Sequence, residues 1–345
     1  MGAPNDGGGY LHEAVLYDSD EDFLGVVVPF LQEGVAVGEP CLVALGSSTT
    51  GLVRAAVRDT TGLTFFDDRY VRPASVIRAN RDLFAAQVAD GAAQIRVVSE
   101  VPHPGVGAPW DGWARYEAAI NHAYAEFPRW GLCAYDTRIT PAPVLDDVAR
   151  THPRLATADG RWVNPRYQDP AEFLTRRPTG QGDPVETASP PVIELIDPTP
   201  AAARDAARTA TTARLGSTAP PNLTRPATIQ VDAPQLDPAD IEHLVFAVSE
   251  AVTNAVIHGR PPVRFRLWTA PDRAVATVTD RGDGPTDPFA GLLPLTDTST
   301  AGLGLWLTHQ LCSHITLDTT DDGFTIRLVV GTPQPGRSGH APGHA

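Results

Sequence analysis

Glu250 and Asn254 set a carboxylate and a carboxamide one helical turn apart, inside the segment Ser249-Glu250-Ala251-Val252-Thr253-Asn254-Ala255-Val256-Ile257-His258-Gly259. Further on, Thr279-Asp280-Arg281-Gly282-Asp283-Gly284-Pro285 puts an acid beside a Gly-x-Gly loop, and Ala301-Gly302-Leu303-Gly304-Leu305-Trp306 adds a second glycine pair. An acid at position 280 can accept a hydrogen bond from an exocyclic amine, while Gly282 and Gly284 let the backbone turn sharply and approach a flat ligand. Gly302 and Gly304 precede an apolar helical pattern, which places free backbone N–H groups at a helix start, where an anion is favoured. Each feature alone is common, since Asp-x-Gly-x-Gly is an ordinary turn and a lone Gly-x-Gly is weak evidence. Together and in this order they describe a nucleotide pocket.

The elements that must hold these residues follow from the same text. Asp237-Pro238 reads as an N-cap and first helical residue, and Gly259 as the glycine that ends the helix. Between them Ile241, Leu244, Val245, Val248, Val252, Ala255 and Val256 form a stripe for burial against a sheet. Glu250 and Asn254, at i and i+4, fall on the opposite side. That side either faces water or lines a cavity, and Phe246 and Ile257 beside the two polar groups favour a cavity. Asp280 ends an alternating run over 274–279, which predicts a half-buried strand. Around it the pattern predicts an edge strand over 192–196, an Ala- and Arg-rich helix over 200–215, a hairpin of 263–269 with 274–280, and a strand pair of 315–319 with 324–330. Helices on one face of a largely antiparallel sheet make this half α+β.

The three segments resemble the N, G1 and G2 boxes of the GHKL ATPase superfamily, whose ATPase domain is of the Bergerat type, and they are most similar to anti-sigma factor serine/threonine kinases of the RsbW and SpoIIAB type. The resemblance covers residues 190–331. It implies that Asn254 holds Mg²⁺ against the phosphates of ATP, and that Glu250 is the catalytic residue, orienting or deprotonating the attacking group. It further implies that Asp280 reads the adenine amino group with Thr325 as a helper, that Gly282 and Gly284 shape the adenine side, and that Gly302 and Gly304 line the phosphates. Residues 287–301, rich in Gly, Pro, Thr and Ser, would form a lid. The chain departs from the family at Leu303, where a polar or basic residue often stands between the glycines. Phosphate neutralisation is then left to Mg²⁺ and more distant arginines, which bears on turnover more than on binding.

No lysine occurs among the 345 residues, so all 27 basic residues are arginine. That removes the Walker A lysine, the strand lysine of eukaryotic-type protein kinases and any Schiff-base chemistry. The formal charge of −14 argues against a general nucleic-acid surface, so no direct nucleic-acid partner is expected. Cys41, Cys133 and Cys312 are far apart and form no CxxC pair; neither a zinc site nor a disulfide framework is signalled, and buried reduced thiols are expected. With no basic-then-apolar leader and no apolar run of about 18 residues, the expectation is a cytoplasmic chain without a membrane partner.

The polar stretch 176–191 reads as an inter-domain linker and 332–345 as a disordered tail, which separates a domain over 10–175 from one over 192–331. In the first, strands predicted over 14–17, 41–45, 63–66, 95–99 and 132–135 alternate with helices over 19–33, 50–58, 75–90, 110–127 and 142–150. Such alternation makes an α/β domain with a mostly parallel sheet covered on both faces. Ligands gather at the carboxyl ends of such strands, so Ser99, Glu100, Asp136, Thr137 and Arg138 are candidates for a sensory pocket. His12, then Trp113, Tyr116, Glu117 and Asn121, then 132–138, then His152-Pro153 resemble the MEDS sensory domain. The likeness implies a RecA-like fold without a P-loop, and the loop Gly46-Ser47-Ser48-Thr49-Thr50-Gly51 indeed lacks the lysine and spacing of a phosphate cradle. His12 and His152 admit either a structural hydrogen-bonding role or a ligand contact, while Trp113 and Tyr116 read as core.

The 200–215 helix contains no histidine, so the phosphoacceptor helix of a two-component histidine kinase is missing, and His258 reads as a helix-end cation. The resemblances together imply a cytoplasmic regulator that binds Mg-ATP, sequesters a sigma factor and phosphorylates Ser or Thr of an anti-anti-sigma protein of the STAS type. Control would come from a small-molecule signal at the first domain, and a homodimer is a further expectation. Two other readings use the same pocket: a non-catalytic ATP-dependent binding switch, and a stand-alone ATPase that signals by lid closure.

Overall fold

The computed structural model describes residues 9–66, 72–106, 108–175, 182–215, 236–293, 302–320 and 323–331. They form two units, one within Met1–Arg176 and one within Arg177–Pro333. The tail 332–345, and 176–181 of the segment read as a linker, lie outside the described residues.

The first unit runs β1 (Leu11–Tyr17), α1 (Asp20–Ala36), β2 (Cys41–Ala44), α2 (Ser47–Ala56), β3 (Leu63–Phe65), α3 (Pro73–Ala89), β4 (Ile95–Ser99), α4 (Asp111–Ala123), β5 (Arg129–Asp136), α5 (Ala142–Thr151), β6 (Arg154–Thr157), β7 (Gly160–Val163) and α6 (Pro170–Leu174). Its sheet has the order β3-β2-β4-β5-β1-β6-β7, parallel throughout except for the terminal β6–β7 hairpin. Continuous burial of β2 and β4 is what a parallel sheet covered on both faces demands. Val15 and Tyr17 pack with Phe23, Val27, Phe30 and Leu31 of α1, and with Val53 of α2, in one core. His12 and Cys133 instead meet α4 through Glu117. The β6–β7 hairpin was not legible in the alternating pattern. It is tied to β1 by the fully buried Glu13, which accepts from Arg154 at 2.8 Å and Arg161 at 2.9 Å.

The second unit contains α7 (Pro184–Ala188), β8 (Ile193–Ile196), α8 (Pro200–Leu215), α9 (Pro238–His258), β9 (Arg264–Thr269), β10 (Arg273–Asp280), α10 (Leu303–Leu311), β11 (His314–Thr320) and β12 (Gly323–Gly331). Its sheet is antiparallel, in the order β11-β12-β10-β9-β8, and its core against α8 and α9 joins Ala203, Ala207, Leu244, Val248 and Val252 to Phe265, Leu267, Ala276, Val278 and Leu328. Asp237 caps α9, its carboxylate accepting from the Ala239 N–H at 2.8 Å, and Pro238 opens the first turn.

The buried arc of α9 differs from the expected stripe in one respect. Val256 and Ile257 are 55% and 65% exposed, whereas Ala247 and Ala251 are buried. Small residues rank low on a hydrophobic reading, yet they let the helix sit close to the sheet. At 100° per residue they swing the arc away from Val256 and toward Asn254. Glu250 and Asn254 therefore stand half-buried at the border of the arc, and Ile257 is exposed.

Residues 183–189 of the polar stretch pack on the opposite face of the sheet. A capping box formed by Asp183 and Glu186 starts α7, and Val185 packs against Trp268, Val275 and Val329. Arg327 pairs with Glu186 and with Asp318, Arg273 pairs with Asp183 at 3.4 Å, and the Trp268 indole N–H donates to the Ser189 carbonyl at 3.0 Å. This docking is made mostly by charged groups, so a search for apolar residues passes over it.

Candidate functional site

α9, β10 with its following turn, the start of α10 and β12 enclose a cavity of about 300 Å³, bordered by Asn254, Asp280, Gly284 and Gly302. Its floor follows from sheet register. Phe324 stands opposite Asp280, and Ile326 opposite Val278, so period-2 alternation turns all four to the same face. The result is an apolar plate with one carboxylate at its end.

Asp280 is 5% exposed, and its Oδ1 accepts the backbone N–H of Gly282 at 2.6 Å and of Arg260 at 3.1 Å. A Cβ at Gly259 would lie 2.4 Å from the carboxyl carbon, and one at Gly282 would lie 2.7 Å from Oδ1. Both glycines are needed for the backbone to close around this carboxylate. Gly259 ends α9, as its position suggested, and makes that approach from extended backbone (φ −83°, ψ −167°).

Glu250 does not border the cavity; it stands against Gly304 in the first turn of α10, where a Cβ would lie 1.9 Å from Glu250 Oε2. Gly302 caps α10 in left-handed backbone (φ 91°) and contributes no side chain, so the N–H groups of the first turn carry no side-chain cap. Leu303 between the glycines is 48% exposed. Of the lid expected over 287–301, residues 287–293 are described, and Asp287, Gly291 and Leu293 border the cavity; 294–301 lie outside the described residues.

Gly282 and Gly304 do not border the cavity, and neither does Thr325. It pairs with Thr279, their hydroxyls 2.9 Å apart, and register puts both on the sheet face turned away from the cavity. Its neighbours Phe324 and Ile326 take the place expected for it. Sequence reading missed these two, together with Leu293 and His258 on the rim. The available signal was the antiparallel register, since the partner of Asp280 had to share its face.

In the first unit, a cleft of about 460 Å³ opens at the carboxyl ends of β1, β2, β4 and β5, bordered by Tyr17, Glu100, Asp136 and Arg138. Arg138 clamps Asp136 through two guanidinium nitrogens and holds its carboxyl below the usual range. Glu100 accepts from the Gly46 N–H and the Thr49 hydroxyl, both at 2.7 Å. A carboxylate thus already occupies the N-terminus of α2, the place where an anionic ligand would bind. Ser99 and Thr137 do not border the cleft: Ser99 is buried beside Cys133, and the Thr137 hydroxyl donates to the Tyr17 carbonyl at 2.9 Å.

An antiparallel sheet with α8 and α9 on one face, and this cavity between α9, α10 and β12, is consistent with an ATPase domain of the histidine kinase type. Residues 221–330 match the family described as histidine kinase-like ATPase domain, and residues 11–153 match MEDS, the MEthanogen/methylotroph, DcmR Sensory domain. The chain therefore joins a MEDS sensory domain to a histidine kinase-like ATPase domain. No curated protein matches it. Among solved structures it is similar to the RsbU and RsbW domains of Rv1364c from Mycobacterium tuberculosis, with 21% identity, 43% of this chain and 34% of that chain covered, and a TM-score of 0.26. It is also similar to the histidine kinase domain of the E. coli osmosensor EnvZ, with 23% identity, 30% and 73% covered, and a TM-score of 0.22. The chain thus spans about a third of the length of the first of these structures. Among the described residues no helix is long and apolar enough to cross a membrane.

Proposed function

We propose that the second unit binds Mg-ATP and acts as a serine/threonine kinase of the anti-sigma type, with the first unit as its sensor. The observation that carries this reading is the convergence of Asn254, Asp280 and Gly302 on one cavity with an apolar floor. The plate of Val278, Phe324 and Ile326 suits the face of a purine. Asp280 is fixed through Oδ1, which leaves Oδ2 to accept from an exocyclic amine. The amide oxygen of Asn254 suits a hard cation, and the uncapped turn after Gly302 suits phosphate oxygens. Bound Mg²⁺ would spread the negative charge of the transferring phosphoryl group. Glu250, seated against Gly304, accepts the proton of the attacking hydroxyl.

On this reading the nucleotide-bound chain sequesters a sigma factor and phosphorylates Ser or Thr of an anti-anti-sigma protein of the STAS type. One feature favours a second reading, a binding switch without turnover: Leu303 supplies no charge where phosphates would lie. Incubating the chain and its co-purified partners with γ-labelled ATP separates the two. Label on a partner's Ser or Thr, absent with Glu250→Ala although that variant still binds ATP, supports the kinase. ATP binding without label or released phosphate supports the switch, and phosphate release without protein label supports a stand-alone ATPase. Full transfer by Glu250→Ala removes the catalytic role of that residue.

A further inference from the structure

Four buried side chains of the first unit aim their donor atoms at one point. His12 of β1, Glu117 of α4, Cys133 of β5 and His152 at the end of α5 each offer one ligand atom, all within 4.8 Å of one another. All four residues are at most 1% exposed. His12 Nε2 lies 3.2 Å from Glu117 Oε2 and 3.3 Å from Cys133 Sγ, His152 Nε2 lies 3.3 Å from the same carboxylate oxygen, and Cys133 Sγ lies 3.8 Å from it. A tetrahedral ion with ligand bonds of about 2.0–2.3 Å requires donor separations of about 3.3–3.8 Å. Four of the six donor separations, from 3.2 to 3.8 Å, are near that range, and the other two are within 4.8 Å.

The surrounding hydrogen bonds fix which atoms face inward. The Asn121 amide nitrogen donates to the carbonyls of Glu117, Ala118 and Thr151, which identifies its other atom as the oxygen that meets His12 Nδ1 at 3.0 Å. His152 Nδ1 meets the Val148 carbonyl at 2.9 Å. Both Nδ1 atoms must therefore donate, which leaves both Nε2 lone pairs for the centre in the neutral rings. His152 Nε2 makes no hydrogen bond. The Tyr135 hydroxyl donates to Glu117 Oε1 at 3.0 Å and so leaves Oε2 for the centre. A divalent cation would neutralise the Glu117 carboxylate and the Cys133 thiolate together, where burial makes uncompensated charge costly.

We infer that His12, Glu117, Cys133 and His152 form a closed tetrahedral site for one divalent transition metal ion of the chemical class of zinc. With four protein donors the site has no open position, so the ion is a structural staple across β1, α4, β5 and α5 rather than a catalyst. Cysteine spacing could not signal it, because the donors come from four elements separated by up to 140 residues, as the numbers 12 and 152 show.

The test is Co²⁺ titration of the full chain carrying Cys41→Ser and Cys312→Ser, so that Cys133 is the remaining thiol, with Zn²⁺ competition and elemental analysis. Binding of one ion per chain with the intense visible bands of tetrahedral Co²⁺ and a thiolate charge-transfer band is expected. Both signals should disappear on Zn²⁺ addition and on further substitution Cys133→Ser. Asn121→Ala, which leaves all four donors in place, should weaken the affinity by about 10–100-fold. No uptake, an octahedral spectrum or unchanged bands in Cys133→Ser would overturn the inference and leave a metal-free hydrogen-bonded cluster. Should Cys133→Ser not fold, the thiolate band of the parent decides the matter: its presence supports the site and its absence refutes it.

Discussion

On the proposed reading Asp280 reads the base, and the two backbone N–H groups that hold its Oδ1 make that role testable. Asp280→Asn can keep an oxygen toward the N–H groups of Gly282 and Arg260, so the fold should survive. Its amide nitrogen would then face the cavity and confront the exocyclic amine donor to donor. Loss of one hydrogen bond to a charged acceptor is worth about 1.5–3 kcal/mol, so ATP affinity should fall by about 10–100-fold in calorimetric titration, with the preference for ATP over GTP reduced. An unchanged preference would remove Asp280 from base recognition. At this scale the positions of Asn254 and Asp280 on one cavity were legible because local periodicity places them, whereas Glu250 lies outside it. Thr325 was misplaced because its face depends on a strand partner 46 residues away, and the chain text does not state register. The residues around Cys133 were legible as carriers of the MEDS likeness, but their meeting at one point was not, since it exists only after four elements have packed.

The elements themselves were legible wherever hydrophobic period and length agreed. Helix 200–215 was expected over the range that α8 occupies, and the alternating run before Asp280 is β10. Failures came where packing rather than hydrophobicity decides. Ala247 and Ala251 rotate α9 toward the cavity, and α7 docks through ions. The second case is testable. Arg327 is held between Glu186 and Asp318, so Arg327→Ala should leave two largely buried carboxylates without their partner. The second unit should lose about 1.5–3 kcal/mol, read as a lower denaturant midpoint, while Mg-ATP affinity stays within a factor of two to three because Arg327 lies on the face away from the cavity. No shift in midpoint would make α7 a passive connection.

For the whole molecule, two separate cores predict that heating shows a transition for each unit, and that nucleotide moves one of them. At a free Mg-ATP concentration 100 times its Kd, the second unit should gain about 2.7 kcal/mol, visible by scanning calorimetry as a rise in one transition. Movement of neither transition would argue against a nucleotide site in either unit. On the proposed reading, the residues that match the MEDS domain are the sensing end and those that match the histidine kinase-like ATPase domain are the ATP-dependent end. Everything proposed for the second end depends on Asn254 lying where cation and phosphates meet. Isothermal titration of Mg-ATP into the full chain and into Asn254→Ala therefore tests it most directly. Saturable binding by the wild type, weakened at least 100-fold in the variant, is the predicted result; equal affinity in both chains, or none in either, would contradict it.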